Sequence, residues 1–306
     1  MAAAGAAAGA PAAPQGGAGA GAAGSGGAPA PAVGGFPHTD DVNVKAKGPY
    51  KVMSYTAGLE AMEYSASIMY YPTDAPTPFA AVALSPGFTA SGTDYEWVGD
   101  MLASHGIAAL LTTPTNTQAD QPPARGDDLV AAVMHLMKEN DRQGSPLMGK
   151  LAPDRICVTG HSMGGGGSLF AANKLAKMIR CVVPMQPYQP GGSFPMIQAP
   201  TMIVGAASDT IAAVASNAQG HYNSIPDTTP KFLVVFEGDH YLSTDRTSGI
   251  PQGMEANATP SFDPQAAYII PFYKLYLESD ERYRPFLFDD AMRSKTILTS
   301  YMSNKK

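Results

Sequence analysis

Between Tyr50 and Leu277, short runs of consecutive apolar residues alternate with segments whose apolar positions recur every three or four residues. The runs at 80–84, 107–111, 155–159, 181–183, 202–204 and 232–236 are predicted strands, preceded by two strand-like runs at 50–55 and 67–71. Helical spacing is predicted for 97–104 and for 127–137, where Leu129, Val133, Leu136 and Met137 mark one face. Further helices are predicted through Leu169 and Ala172, at 214–222 and at 264–277. A strand that is apolar at every position is covered on both sides, unlike one that alternates. Such strands alternating with helices predict an α/β fold, a mostly parallel central sheet with helices on both faces. The first two strands are free to pair antiparallel within it. Residues 242–262 are polar and rich in Gly, Thr and Pro, which predicts a long loop.

The start of the chain is different. Residues 1–35 are almost entirely Ala, Gly and Pro, and no Asp, Glu, Lys or Arg precedes Asp40. With nothing large to bury, residues 1–38 are expected to be a disordered tether and 39–306 a single folded domain. The tether lacks the basic start and larger apolar core of a secretory signal. No apolar run reaches the roughly 18 residues that would cross a membrane. The net charge of −6, with the 20 basic side chains scattered, argues against a nucleic-acid partner. Cys157 and Cys181 fall in predicted neighbouring strands. Buried, inert thiols are the default expectation, with a disulfide open if the strands pair. No spacing of potential ligands is diagnostic of a metal site.

Candidate chemistry centres on Gly160-His161-Ser162-Met163-Gly164, a G-x-S-x-G placed between a predicted strand and a predicted helix. A serine on so sharp a turn is lifted clear of the sheet, above the positive end of the next helix, which is the nucleophile position of an α/β-hydrolase. In that fold an acid and then a histidine follow the serine in chain order. The candidates for the base are His221 and His240. His240 follows the 232–236 strand and is preferred, while His221 sits in a helical pattern with polar neighbours and reads as a surface residue. The candidate acids are Asp209, Asp227 and Asp239. Asp209 is preferred because it follows the 202–204 strand, whereas Asp227 lies in a Pro/Thr turn and Asp239 adjoins the histidine. The oxyanion-hole candidates are the amide of Met163 and that of Phe88, since Pro86 has no N–H to offer.

The elbow Gly160-His161-Ser162-Met163-Gly164-Gly165-Gly166-Gly167-Ser168-Leu169 resembles that of bacterial cutinases and poly(ethylene terephthalate) hydrolases. Ile68-Met69-Tyr70-Tyr71-Pro72-Thr73, Ser85-Pro86-Gly87-Phe88-Thr89, Leu102-Ala103-Ser104-His105-Gly106-Ile107, Ala119-Asp120-Gln121-Pro122 and Tyr222-Asn223-Ser224-Ile225-Pro226 are similar to segments of the same family, so the likeness spans residues 48–288. The intervals from Ser162 to Asp209 and from Asp209 to His240 are also similar to the family's triad. The resemblance implies an α/β-hydrolase fold and hydrolysis of small or polymeric carboxylic esters in a shallow cleft, without a cofactor. It also implies a ring clamp of Phe88 and Tyr188, with Met163 and Ile211 lining the cleft and His161 beside them. Export, as a secreted or surface-tethered enzyme, is the corresponding expectation, and the chain is read as a monomer.

The sequence departs from that family in places. Tyr188 stands where Trp is usual, Asp239 and Tyr241 flank the histidine, and the loop after it is longer. Phe286-Leu287-Phe288-Asp289 carries no cysteine where the family has one of its C-terminal pair. A short-chain lipase or carboxylesterase, a non-catalytic binding protein on the same fold and an acyltransferase using the same serine remain alternatives.

Overall fold

The computed structural model describes residues 42–246, 249–250, 262–293 and 298–305. The expected tether at 1–38 and most of the loop expected at 242–262 lie outside the described residues. The described residues form a nine-stranded sheet in the order β1-β2-β4-β3-β5-β6-β7-β8-β9. Its strands are β1 (Val52–Tyr55), β2 (Tyr64–Pro72), β3 (Phe79–Ser85), β4 (Ala108–Pro114), β5 (Leu151–His161), β6 (Cys181–Met185), β7 (Thr201–Ala206), β8 (Lys231–Phe236) and β9 (Leu298–Ser303). From β4 through β3 to β8 neighbouring strands are parallel, and β1, β2 and β9 join antiparallel. This is the α/β-hydrolase arrangement.

The helices are α1 (Glu96–Ser104), α2 (Pro122–Glu139), α3 (Met163–Leu175), α4 (Ala218–Ser224), α5 (Asp263–Tyr276) and α6 (Arg284–Phe288). They divide between the two faces as the all-apolar strands require. In β3, Ala80, Val82 and Leu84 pack with Trp97, Met101 and Leu102 of α1 and with Tyr268 and Phe272 of α5. The alternate residues Phe79, Ala81 and Ala83 join Leu129 and Val133 of α2, Leu169 of α3 and Tyr222 of α4. Alternation with period two thus sends one strand into two cores, each built on apolar burial.

Three expectations are corrected. The sheet has a ninth strand, β9, whose half-exposed residues carry no continuous apolar run; its Tyr301 packs near Phe232 and Tyr268. Cys157 and Cys181 lie directly opposite each other in the β5–β6 register and form a disulfide, so they are not free thiols. His221 is buried rather than on the surface, donating from Nε2 to the Gln189 carbonyl at 2.9 Å and packing edge-on to Phe194.

A second buried imidazole, His105, ends α1. Its Nε2 lies 2.8 Å from the Lys45 carbonyl, and Lys274 Nζ binds its own carbonyl at 2.6 Å. Burial, reinforced by the Lys274 charge, pushes its pKa down to about 4. The unfolded chain takes up that proton near pH 6.5, whereas the folded chain resists it until about 4, so this residue's contribution to stability falls as pH drops through that window. Asp128 acts oppositely. Burial pushes it up to about 7, so its contribution falls as pH rises from the ordinary carboxylate range. Comparison of the protein with a His105→Gln variant isolates the histidine. Between pH 7 and pH 5, urea unfolding is expected to show the parent losing about 2 kcal/mol more than the variant; equal losses would mean that the imidazole is hydrated in the fold.

Candidate active site

The site starts from a backbone constraint. β5 runs straight into Ser162, α3 begins at the next residue, and Ser162 itself takes φ 54° and ψ −117°. A side chain at such a φ is strained, and the surroundings must hold it there. Ser162 N–H donates to the Met185 carbonyl at 3.0 Å, while the Ser162 carbonyl accepts from Gly166 at 2.9 Å and from Tyr188 at 2.8 Å. The flanking glycines follow from the same turn. A Cβ on Gly164 would overlap the Ser85 carbonyl oxygen, and one on Gly160 would overlap the Gly164 carbonyl.

Ser162, Asp209 and His240 come together. Ser162 Oγ lies 2.8 Å from His240 Nε2, and His240 Nδ1 lies 2.8 Å from Asp209 Oδ2. The other carboxylate oxygen, Asp209 Oδ1, accepts from the amides of Ile211 at 2.9 Å and Ala212 at 2.7 Å. Burial alone would raise the Asp209 pKa. The hydrogen bond and charge of His240, helped by the two amides, outweigh burial and hold the carboxyl below its usual range. An ionised carboxylate only accepts, so Nδ1 carries the imidazole proton and Nε2 is left to accept from the serine hydroxyl. All three side chains are buried, and Ser162 and His240 line the cleft.

The amides of Met163 and Phe88 have no hydrogen-bond partner among the described residues. Met163 opens α3, where backbone N–H groups have no partner within the helix and the dipole is positive. Phe88 lies on a loop held by Thr89 N–H to the Thr117 carbonyl at 2.8 Å and Ala90 N–H to the Gly87 carbonyl at 3.2 Å. Arg125 supports that attachment from behind, donating to the carbonyls of Thr117 and Asp120.

These groups face an open cleft of about 250 Å³. Phe88, Tyr188, Ile211, Met163 and His161 all line it, and Phe88 and Ile211 are exposed to solvent at 50% and 37%. The remaining candidates stand apart from the serine. Asp227 pairs with Lys231 at the surface, Asp239 accepts from its neighbour Tyr241, and His221 bonds to Gln189. The start of the loop after His240 is docked rather than loose. Thr244 Oγ1 donates to the Asp94 carbonyl at 2.8 Å, Asp245 accepts from Trp97 N–H at 3.0 Å, and Arg246 reaches Thr89 Oγ1 at 3.1 Å. Thr244 and Arg246 thereby form part of the cleft wall. Sequence reasoning missed these two residues, Tyr95, and the amides that hold Asp209. Tyr95 lies in a polar stretch without periodicity, and backbone donors leave no mark in a sequence.

No group of three or more His, Cys, Asp or Glu residues suited to a metal occurs among the described residues. No helix among them is long and apolar enough to cross a membrane.

Comparison with known proteins agrees with this geometry. A family model described as PET hydrolase-like matches residues 29–305, further in both directions than the 48–288 of the sequence resemblance. The chain is 34% identical over 254 residues to a bis(hydroxyethyl) terephthalate hydrolase of Streptomyces coelicolor, covering 82% of this chain and 75% of that one. It is 32% identical over 250 residues to Cutinase 1 of Thermobifida cellulosilytica, covering 81% of this chain and 88% of the relative. A cutinase of Thermobifida fusca is likewise 32% identical, over 81% of this chain and 76% of its own. With the elbow, the sheet and the match all in agreement, this chain belongs to the PET hydrolase-like family.

Proposed function

We propose that the protein hydrolyses carboxylic esters through an acyl-enzyme on Ser162. The observation that carries this reading is the unbroken line from Asp209 through His240 to Ser162, opening into an apolar cleft beside two unpartnered amides. Serine is a weak nucleophile at neutral pH, so His240 Nε2 takes the Ser162 proton as Oγ attacks the ester carbonyl. The charge that develops on the carbonyl oxygen is received by the Phe88 and Met163 amides, which are fixed before the reaction begins. The imidazolium is stabilised by ionised Asp209 and returns its proton to the departing alkoxide. Water, deprotonated by the same imidazole, then releases the acid and restores the serine.

The substrate class follows from the cleft. Its open shape admits a chain that continues past the scissile bond, and Phe88, Tyr188 and Ile211 offer ring and aliphatic contacts to an acyl group. A relative named for bis(hydroxyethyl) terephthalate supports aromatic diesters and their polymers as substrates, with short aliphatic esters also accommodated. The Cys157–Cys181 disulfide suits an oxidising compartment and supports export. We read the working unit as a monomer, because the described site is complete within one chain.

Ser162→Ala is expected to abolish turnover of p-nitrophenyl butyrate and labelling by a fluorophosphonate probe, with the circular dichroism spectrum unchanged. Retained turnover would assign the nucleophile elsewhere. Asp209→Asn leaves the geometry in place but no longer fixes the imidazole proton on Nδ1; a fall in kcat of about 10³- to 10⁴-fold is expected. A fall of less than tenfold, read in the same assay, would remove Asp209 from the reaction.

A further inference from the structure

In the wall of the cleft, hydrogen bonds connect the two loops that flank the serine, and no step proposed above uses them. Gly87 N–H donates to Tyr95 Oη at 3.2 Å. Tyr95 Oη lies 2.7 Å from His161 Nδ1, and His161 Nε2 lies 2.7 Å from the backbone carbonyl oxygen of His240. Tyr95 and His161 are buried, at 1% and 2% exposure, so no bulk water competes for these groups.

The direction of the chain is determined. A carbonyl oxygen only accepts, so His161 Nε2 carries a hydrogen. The imidazole is neutral, since burial, reinforced by the nearby His240, pushes its pKa down to about 3. A neutral ring has a single N–H, which leaves Nδ1 as an acceptor. The Tyr95 hydroxyl therefore donates its one proton to Nδ1 and accepts from Gly87. Reversing the links would set donor against donor at the Gly87 amide or acceptor against acceptor at the His240 carbonyl.

The ends of the chain matter for the reaction. At one end Gly87 immediately precedes Phe88, the candidate oxyanion donor. At the other is the peptide of His240, the candidate base. In the middle, His161 is covalently joined to Ser162. We propose that Tyr95, acting through His161, is a positioning residue that keeps the oxyanion loop and the base aligned on the nucleophile. The proposal rests on the Ser162 acyl-enzyme reading. A second set of bonds meets the same loop one residue earlier: Thr244 Oγ1 and Asp245 N–H both donate to the Asp94 carbonyl, at 2.8 and 3.2 Å. These bonds fix the loop after the base, but among the described residues only the Tyr95 hydroxyl reaches the amide next to Phe88.

The test is Tyr95→Phe, which keeps the ring and removes the hydroxyl. With p-nitrophenyl butyrate, kcat is expected to fall about tenfold or more while KM changes by less than about twofold, since misplacement costs the transition state more than the ground state. His161→Gln and the double variant complete a cycle. If Tyr95 acts through His161, the double variant loses no more kcat than His161→Gln alone. Losses that multiply would overturn the relay. So would an unchanged kcat in Tyr95→Phe accompanied only by a lower unfolding midpoint, because that is the signature of a residue serving stability alone. Fluorophosphonate labelling distinguishes the two readings. Tyr95→Phe is expected to label to one probe per chain, more slowly than the parent. A parent that does not label at all would overturn the Ser162 reading and the relay with it.

Discussion

One backbone angle governs the arrangement of this protein. Ser162 is held at a φ of 54°, a conformation that a serine does not adopt unaided, and the surrounding structure is what makes it stable. Met185 and Tyr188 anchor the turn from the neighbouring strand and the loop that follows it, while Gly166 closes the first turn of the helix. Because Ser162 alone links β5 to α3, the first turn of the helix must pass against the carbonyls of Ser85 and Pro86, and only a residue without a side chain fits at Gly164. The reward for this crowding is positional. The hydroxyl, the Met163 amide and the positive end of α3 point into the same small volume.

Around that fixed point the remaining groups arrive on loops at the carboxyl ends of parallel strands. Asp209 follows β7, His240 follows β8 and Phe88 follows β3. The pairing of β7 with β8 over six residues sets the acid and the base side by side. Local hydrogen bonds then refine the aim. The carboxylate of Asp209 is clasped by two amides of its own loop, so it presents its second oxygen to the imidazole in one orientation. The loop after His240 is fastened to the start of α1 and the turn before it through Ser243, Thr244 and Asp245. Little is left to be organised when a substrate arrives.

How far the sequence could be read depended on whether a feature was local. The elbow was legible because glycine spacing and the change from strand to helix sit within ten residues. Asp209 and His240 were legible because each closely follows an unbroken apolar run, and α1, α2 and α5 declared themselves by periodicity. β9 was not, since an edge strand with one solvated face carries no such run and is defined only by its pairing with β8. The burial of His221 was equally hidden: its polar helical neighbours gave no sign of Gln189 and Phe194 closing over it. The Cys157–Cys181 bond depended on the register of β5 against β6, which spacing along the chain does not encode. Tyr95 illustrates the same limit at the site, where a single hydroxyl in a polar turn meets a ring 66 residues away.

The disulfide has a topological consequence for the elbow. Cys157 and Cys181 are 24 residues apart, and the covalent ring they close contains Ser162 and the whole of α3. In a denatured chain the two strands that flank the nucleophile cannot drift apart, which by chain-entropy arguments disfavours that state by about 3.5 kcal/mol. A protease that cut one peptide bond inside the ring would leave both fragments tied together at the elbow's base. A nicked molecule would therefore still hold its serine between the strands that shape it.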